Sequence, residues 1–221
     1  MKQFEIRDTA RGMALNALTI AVSTAVYGAV LAAWRSPLMS AYVAAKLPVV
    51  FLGSTLVVSA FCWMEGLLTG ANLRYREVVA AVFTAMSVAG SILVALAPVA
   101  LYFILSGAPD EGTADEMRFV HATMMLVHIL VFSTAGVIGV VSLYRALRRR
   151  VPQSCNLALT LALWLAAFAI VGCQLGWMAR PLVGSPNISV EFLRADALDS
   201  NFLESVSRQI IPHIIHKGAI R

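Results

Sequence analysis

Five long apolar runs, each nearly without charge, constrain this chain more than any other feature. They are Ala14–Ala33, Leu47–Leu68, Val78–Leu105, Phe119–Tyr144 and Leu157–Met178. A helix needs about 20 apolar residues to cross the hydrocarbon core of a bilayer, and each run meets that length. Charged residues make up only 13% of the sequence, against roughly 25% in a soluble domain, so water has too little polar surface to wet. The expected fold is all-α: a polytopic membrane bundle of about five transmembrane helices over residues 1–178, followed by a tail over 179–221. Pro98 lies in the last third of the third run. A proline is tolerated in a membrane helix and often marks a kink, and no polar break supports splitting this run.

The first run reads as a retained span. The residues before it mix Glu5 and Asp8 with Lys2, Arg7 and Arg11, and the run exceeds the roughly 7–15 residues of a signal core. Orientation follows from where Lys and Arg fall. Lys2, Arg7 and Arg11, then Arg74 and Arg76, then Arg145, Arg148, Arg149 and Arg150 share one side. The other side has Arg35, Lys46, Arg118, Arg180 and Arg194, and an acidic loop with Asp110, Glu111, Asp115 and Glu116. The expected topology is a multi-pass membrane protein, N-terminus cytoplasmic and C-terminus extracytoplasmic. The net charge of +5 thus reflects topology and anionic-lipid contacts rather than nucleic acid. Cys62, Cys155 and Cys173 have no metal or redox spacing, and Cys62 and Cys173 read as apolar fillers.

Small residues recur at helical spacing: Ala21, Ala25, Ala29 and Ala33 on the first span, Ser87, Ser91 and Ala95 on the third, Ser133, Gly136 and Gly139 on the fourth. Such rows let membrane helices approach closely. They predict a compact bundle, or alternatively a dimer or partner-helix groove.

Polar groups within spans are costly and each asks for a reason. Glu65 lies about a turn from the cytoplasmic end of the second span. It reads first as a salt-bridge partner of Arg74, Arg76 or Arg145, and alternatively as an ion or proton site. His121 and His128 lie seven residues apart, hence on one face of the fourth span, with His128 about 10 Å deeper at 1.5 Å per residue. No other span carries a histidine for a haem, and no third ligand completes a metal site, so no cofactor is expected. Each histidine is expected to hydrogen-bond within the bundle, with proton transfer or ligand contact as the alternative. Gln174, at similar depth to His121, is a candidate partner for it.

The most distinctive stretch runs from Gln174 to Asn187, QLGWMARPLVGSPN. Trp177 and Arg180 suit a membrane–water boundary, while Pro181, Gly184 and Pro186 stop the helix. Gln174, Trp177, Arg180, Pro181, Gly184, Ser185 and Pro186 are therefore the candidate contacts for a partner or lipid. Further on, Asn201 with Glu204 forms a possible capping box. Phe202, Val206 and Ile210 would share one face of a short amphipathic helix, ended by Pro212, lying on the membrane or folded back on the bundle.

This stretch resembles the close of the last span in a family of uncharacterised bacterial multi-pass membrane proteins, with members in cyanobacteria and other phyla, whose signature is Q-L-x-W-x-x-R-P-x-x-G-S-P. Gln174, Leu175, Trp177, Arg180, Pro181, Gly184, Ser185 and Pro186 match it. Phe192, Arg194, Asn201 and Phe202 match its downstream F-R and N-F, and Ala45-Lys46-Leu47-Pro48 and Ala97-Pro98 are also similar. Leu182 departs from it where an aromatic is expected, which alters a ring contact. Some members bear an actin-binding WH2 label, but a hydrophobic bundle offers no such motif on an accessible cytoplasmic segment. The five-span layout is loosely similar to Yip-type proteins, an analogy of fold alone. The resemblance implies no activity. The sequence has no HExxH, no GxSxG, no phosphate-binding loop and no paired intramembrane aspartates. The expectation is a non-enzymatic membrane protein that binds or organises a protein or lipid partner, with a homo-oligomer or partner membrane protein as candidates. The rival is a small ion or solute transporter or channel subunit using Glu65 and His121/His128.

Overall fold

The computed structural model describes residues 10–107, 114–183, 190–193, 201, 202 and 204. It contains five long helices, α1 (Ala10–Ala32), α2 (Pro37–Leu68), α3 (Tyr75–Gly107), α4 (Ala114–Arg148) and α5 (Leu157–Met178). All five are long and apolar enough to cross a membrane. Their outward faces carry large apolar side chains such as Leu18, Val49, Leu56, Leu126 and Ile170, each more than half exposed. Such an extensive apolar surface suits lipid rather than water.

Local chemistry sets the helix ends. Ser36 caps α2, its hydroxyl accepting from the Met39 N–H at 3.1 Å, and Pro37 follows at a position that needs no N–H donor. The α2–α3 turn uses Gly70 and Asn72 at positive φ, with the Ala71 N–H closing onto the Gly66 carbonyl at 2.8 Å. Asn156 caps α5 by accepting from the Leu159 N–H at 3.1 Å.

Because Ser36 and Pro37 start it, α2 begins ten residues before its apolar run. Its 32 residues span about 48 Å, well beyond the roughly 30 Å of hydrocarbon. Lys46, placed in a loop when charges are counted, therefore lies within a helix. Both α2 and α3 continue through their prolines, Pro48 and Pro98.

Helix α1 packs chiefly on α2 and α3, α3 on α4, and α5 on α2, while α4 and α5 scarcely touch. Two clusters of buried side chains divide the bundle lengthwise. One, around Val58, Cys62, Val82, Leu147 and Trp164, fills the end bearing Arg74 and Arg145–Arg150, called here the arginine end. The other, around Tyr27, Met39, Val43, Leu93 and Val131, fills the tail end, where α5 finishes.

The rows of small residues are only partly where helices meet. Ala21, Ala25, Ala29 and Ala33 are half-buried, and Ser91, Ala95, Ser133 and Gly136 are exposed. The close approaches fall elsewhere. A Cβ on Gly28 would lie 2.7 Å from the Val43 carbonyl oxygen, and one on Gly90 would collide with the Ser23 hydroxyl. Gly139, from the expected row, does meet α3, at Ala89 and Ala85. The buried face of α1 sets small and polar residues, Asn16, Ser23, Thr24, Tyr27 and Gly28, among the apolar Ile20 and Leu31. Asn16 donates to the Thr84 hydroxyl of α3 at 3.0 Å and accepts from Ser87 at 3.3 Å. In a membrane the apolar face gains nothing by turning inward, so close packing and hydrogen bonds select the interface.

Candidate recognition site at the tail end of the bundle

The site starts from the last turn of α5. The Ala179 N–H closes the helix onto the Leu175 carbonyl at 3.0 Å. Arg180 then turns back, its Nε donating to the Trp177 carbonyl at 2.9 Å. The guanidinium carbon stands 3.4 Å from the centroid of the Trp177 ring, a stacked cation–π contact. Its Nη2 is buried and has no hydrogen-bond partner.

Beyond Arg180 the chain runs back over the bundle as a strap. The Pro181 carbonyl accepts from Lys46 Nζ at 3.2 Å, and the Val183 carbonyl accepts from the Trp34 indole N–H at 2.9 Å. Leu182, Val183 and Val190 pack against the tail-end core, so Leu182 makes an aliphatic contact. The Phe192 ring meets Tyr42 edge-on at 5.3 Å and lies 5.0 Å from Lys46 Nζ. The Phe202 N–H donates to Gln174 Oε1 at 3.0 Å, and its ring meets Trp177 at 6.1 Å. For these residues, folding back on the bundle is the arrangement found. Asn201 Oδ1 accepts from the Glu204 N–H at 2.7 Å, the expected cap contact. Gly184, Ser185 and Pro186, and the rest of the amphipathic segment with Val206, Ile210 and Pro212, lie outside the described residues.

Several expected pairings are corrected. Gln174 is engaged by Phe202 rather than by His121, because the helices carrying Gln174 and His121 scarcely meet. His121 instead stacks obliquely on Trp34, ring centroids 5.1 Å apart, and its Nδ1 is buried without a partner. His128 does hydrogen-bond within the bundle, its Nδ1 to the Tyr27 hydroxyl at 2.9 Å, while its Nε2 has no partner. Glu65 makes no ion pair with Arg74, Arg76 or Arg145, and its Oε2 is buried and unpartnered. The ion pair at that end joins Glu77 to Arg150 at 3.7 Å, both side chains about one-third exposed.

Glu65, His128 and Gln174 thus belong to three separate surroundings. A crevice of about 190 Å³ opens where α4 and α5 diverge over α3, but it is lined by apolar residues including Ala85, Ala89, Gly136, Gly139 and Phe168. None of the three polar residues borders it.

Sequence reasoning missed Lys46, Trp34, Tyr42 and Phe192 as parts of the tail-end site. A signal was available in Lys46, a lone charge following the helix-start pair Ser36-Pro37 by less than three turns. Compared with protein families, with curated proteins and with solved structures, the chain shows no match, so the functional reading rests on this geometry.

Proposed function

We propose that this chain is a non-enzymatic integral membrane protein of the bacterial inner membrane that holds a partner at its tail end, on the extracytoplasmic side. We further propose that it belongs with the bacterial multi-pass proteins sharing the Q-L-x-W-x-x-R-P-x-x-G-S-P signature. The observation that carries the reading is the state of Arg180. Its guanidinium is oriented by the Trp177 ring and carbonyl, yet Nη2 is left without an acceptor. A plain boundary anchor needs an aromatic, a cation and a helix breaker, and would let the cation reach freely for water. Here the strap is also tied down through Trp34, Lys46 and Gln174. A planar donor held rigid is suited to recognising a carboxylate or phosphate. The separate placement of Glu65, His128 and Gln174 weighs against the rival of a transport path.

Arg180→Lys tests the reading. It keeps the charge and the reach, so an anchor would tolerate it. A recognition site should lose its partner in a detergent pull-down while insertion and abundance stay normal. Full partner retention by both Arg180→Lys and Trp177→Phe would reduce the stretch to an anchor.

A further inference from the structure

A cation withdrawn from water is costly unless an opposite charge accompanies it. Lys46 is only 5% exposed, and its contacts are the Pro181 carbonyl and the Phe192 ring. A carbonyl dipole and a ring face solvate an ammonium in part, but neither neutralises it. Arg180, half-buried, has the Trp177 ring, one carbonyl and an Nη2 that is buried without a hydrogen-bond partner. Among the described residues, no carboxylate pairs with Lys46 or Arg180, and the ion pair of Glu77 with Arg150 lies at the opposite end. Lys46 also reaches the chain next to Arg180, because the carbonyl that holds its Nζ belongs to Pro181, the following residue. The site is therefore built, with Lys46 as a buried floor and half-buried Arg180 as its lip, and neither cation has a carboxylate partner among the described residues.

We propose that Lys46 and Arg180 together bind the phosphate of an anionic phospholipid headgroup at the tail end of the bundle. This rests on the recognition reading above and supplies its ligand. A phosphate carries several acceptor oxygens on one centre, so it can take the guanidinium edge and the point charge of the ammonium at once. The site lies where the apolar run of α5 ends, beside Trp34 and Trp177, and tryptophan is enriched at the headgroup level of membranes. Zwitterionic lipids bring a cation of their own next to Lys46 and Arg180, so lipids with net negative charge are favoured.

The full chain, reconstituted in nanodiscs with phosphatidylglycerol or phosphatidylcholine and then analysed by native mass spectrometry, tests this. Phosphatidylglycerol should be retained in preference. Arg180→Gln and Lys46→Gln should each weaken retention about tenfold, the lower range for losing a hydrogen bond to a charged group. Lys46→Arg should preserve it, and Arg74→Gln, an exposed cation at the arginine end, should not change it. Should Lys46→Gln fail to fold, Arg180→Gln beyond the end of α5 carries the test. Equal retention of both lipids, or retention unchanged in Arg180→Gln, overturns the proposal. Displacement of the lipid by an equal concentration of inorganic phosphate would identify a free anion instead and also overturns it. Loss of a protein partner in Arg180→Lys with lipid retention untouched by Arg180→Gln would sink the lipid assignment but leave the recognition reading standing.

Discussion

The hydroxyl of Tyr27 on α1 and Nδ1 of His128 on α4 share a hydrogen bond of 2.9 Å between side chains 0% and 3% exposed. The rings also meet edge-on, with centroids 5.8 Å apart. Helix α4 otherwise packs mainly on α3, so this polar pair ties it directly to α1. A double-mutant cycle with Tyr27→Phe and His128→Leu should give a coupling of about 0.6 kcal/mol, the average for hydrogen bonds between membrane helices, and no more than about 1.7 kcal/mol, their maximum. Denaturant-induced unfolding in micelles measures it, and additive effects would mean the bond contributes nothing.

Gly28 and Gly136 should respond oppositely to alanine. A Cβ on Gly28 meets the Val43 carbonyl oxygen and the backbone of Ala44, neither of which can rotate away. Gly28→Ala should therefore separate α1 from α2 and lower stability by about 1–3 kcal/mol, as overpacking does. Gly136 has open space around it, so Gly136→Ala should be neutral or gain up to about 1 kcal/mol from helix propensity. Paired unfolding midpoints of the two variants decide the matter.

Glu65 is the clearest case where removing a charge should do little harm. Breaking a buried ion pair costs about 3–5 kcal/mol, but Glu65 has no such pair with Arg74, Arg76 or Arg145, and its Oε2 has no hydrogen-bond partner. Glu65→Gln should keep abundance and unfolding midpoint within about 1 kcal/mol of the parent. A loss of several kcal/mol would restore a structural partner. A stable variant that loses ion- or proton-dependent flux would promote the transport reading.

The proposed extracytoplasmic placement of the tail is open to reporter fusion. Reporters joined after Arg150 and after Asn187 are separated by α5, and should report opposite compartments, cytoplasmic for the first. The same compartment for both would remove α5 from the set of spans.

What the sequence determined alone was the set of five helices long and apolar enough to cross a membrane. Apolar run length needs no knowledge of neighbours, which is why the five helices were legible. Direction around each helix axis was not. In a soluble bundle apolar residues mark the buried face, but here lipid-facing and core-facing positions are both apolar, so that signal is erased. The alanine row of α1 looked like an interface and is only half-buried, whereas Gly28 and the polar row through Asn16, Thr24 and Tyr27 make the contact. Gln174 and His121 were expected to pair, yet they sit on helices that barely touch. Lys46 read as a loop charge because hydropathy begins counting at Leu47, although Ser36 and Pro37 had already started its helix. Only the tertiary structure brought Lys46 to Pro181, 135 residues along the chain, since a contact at that separation depends on which helix faces which, and close packing decides that.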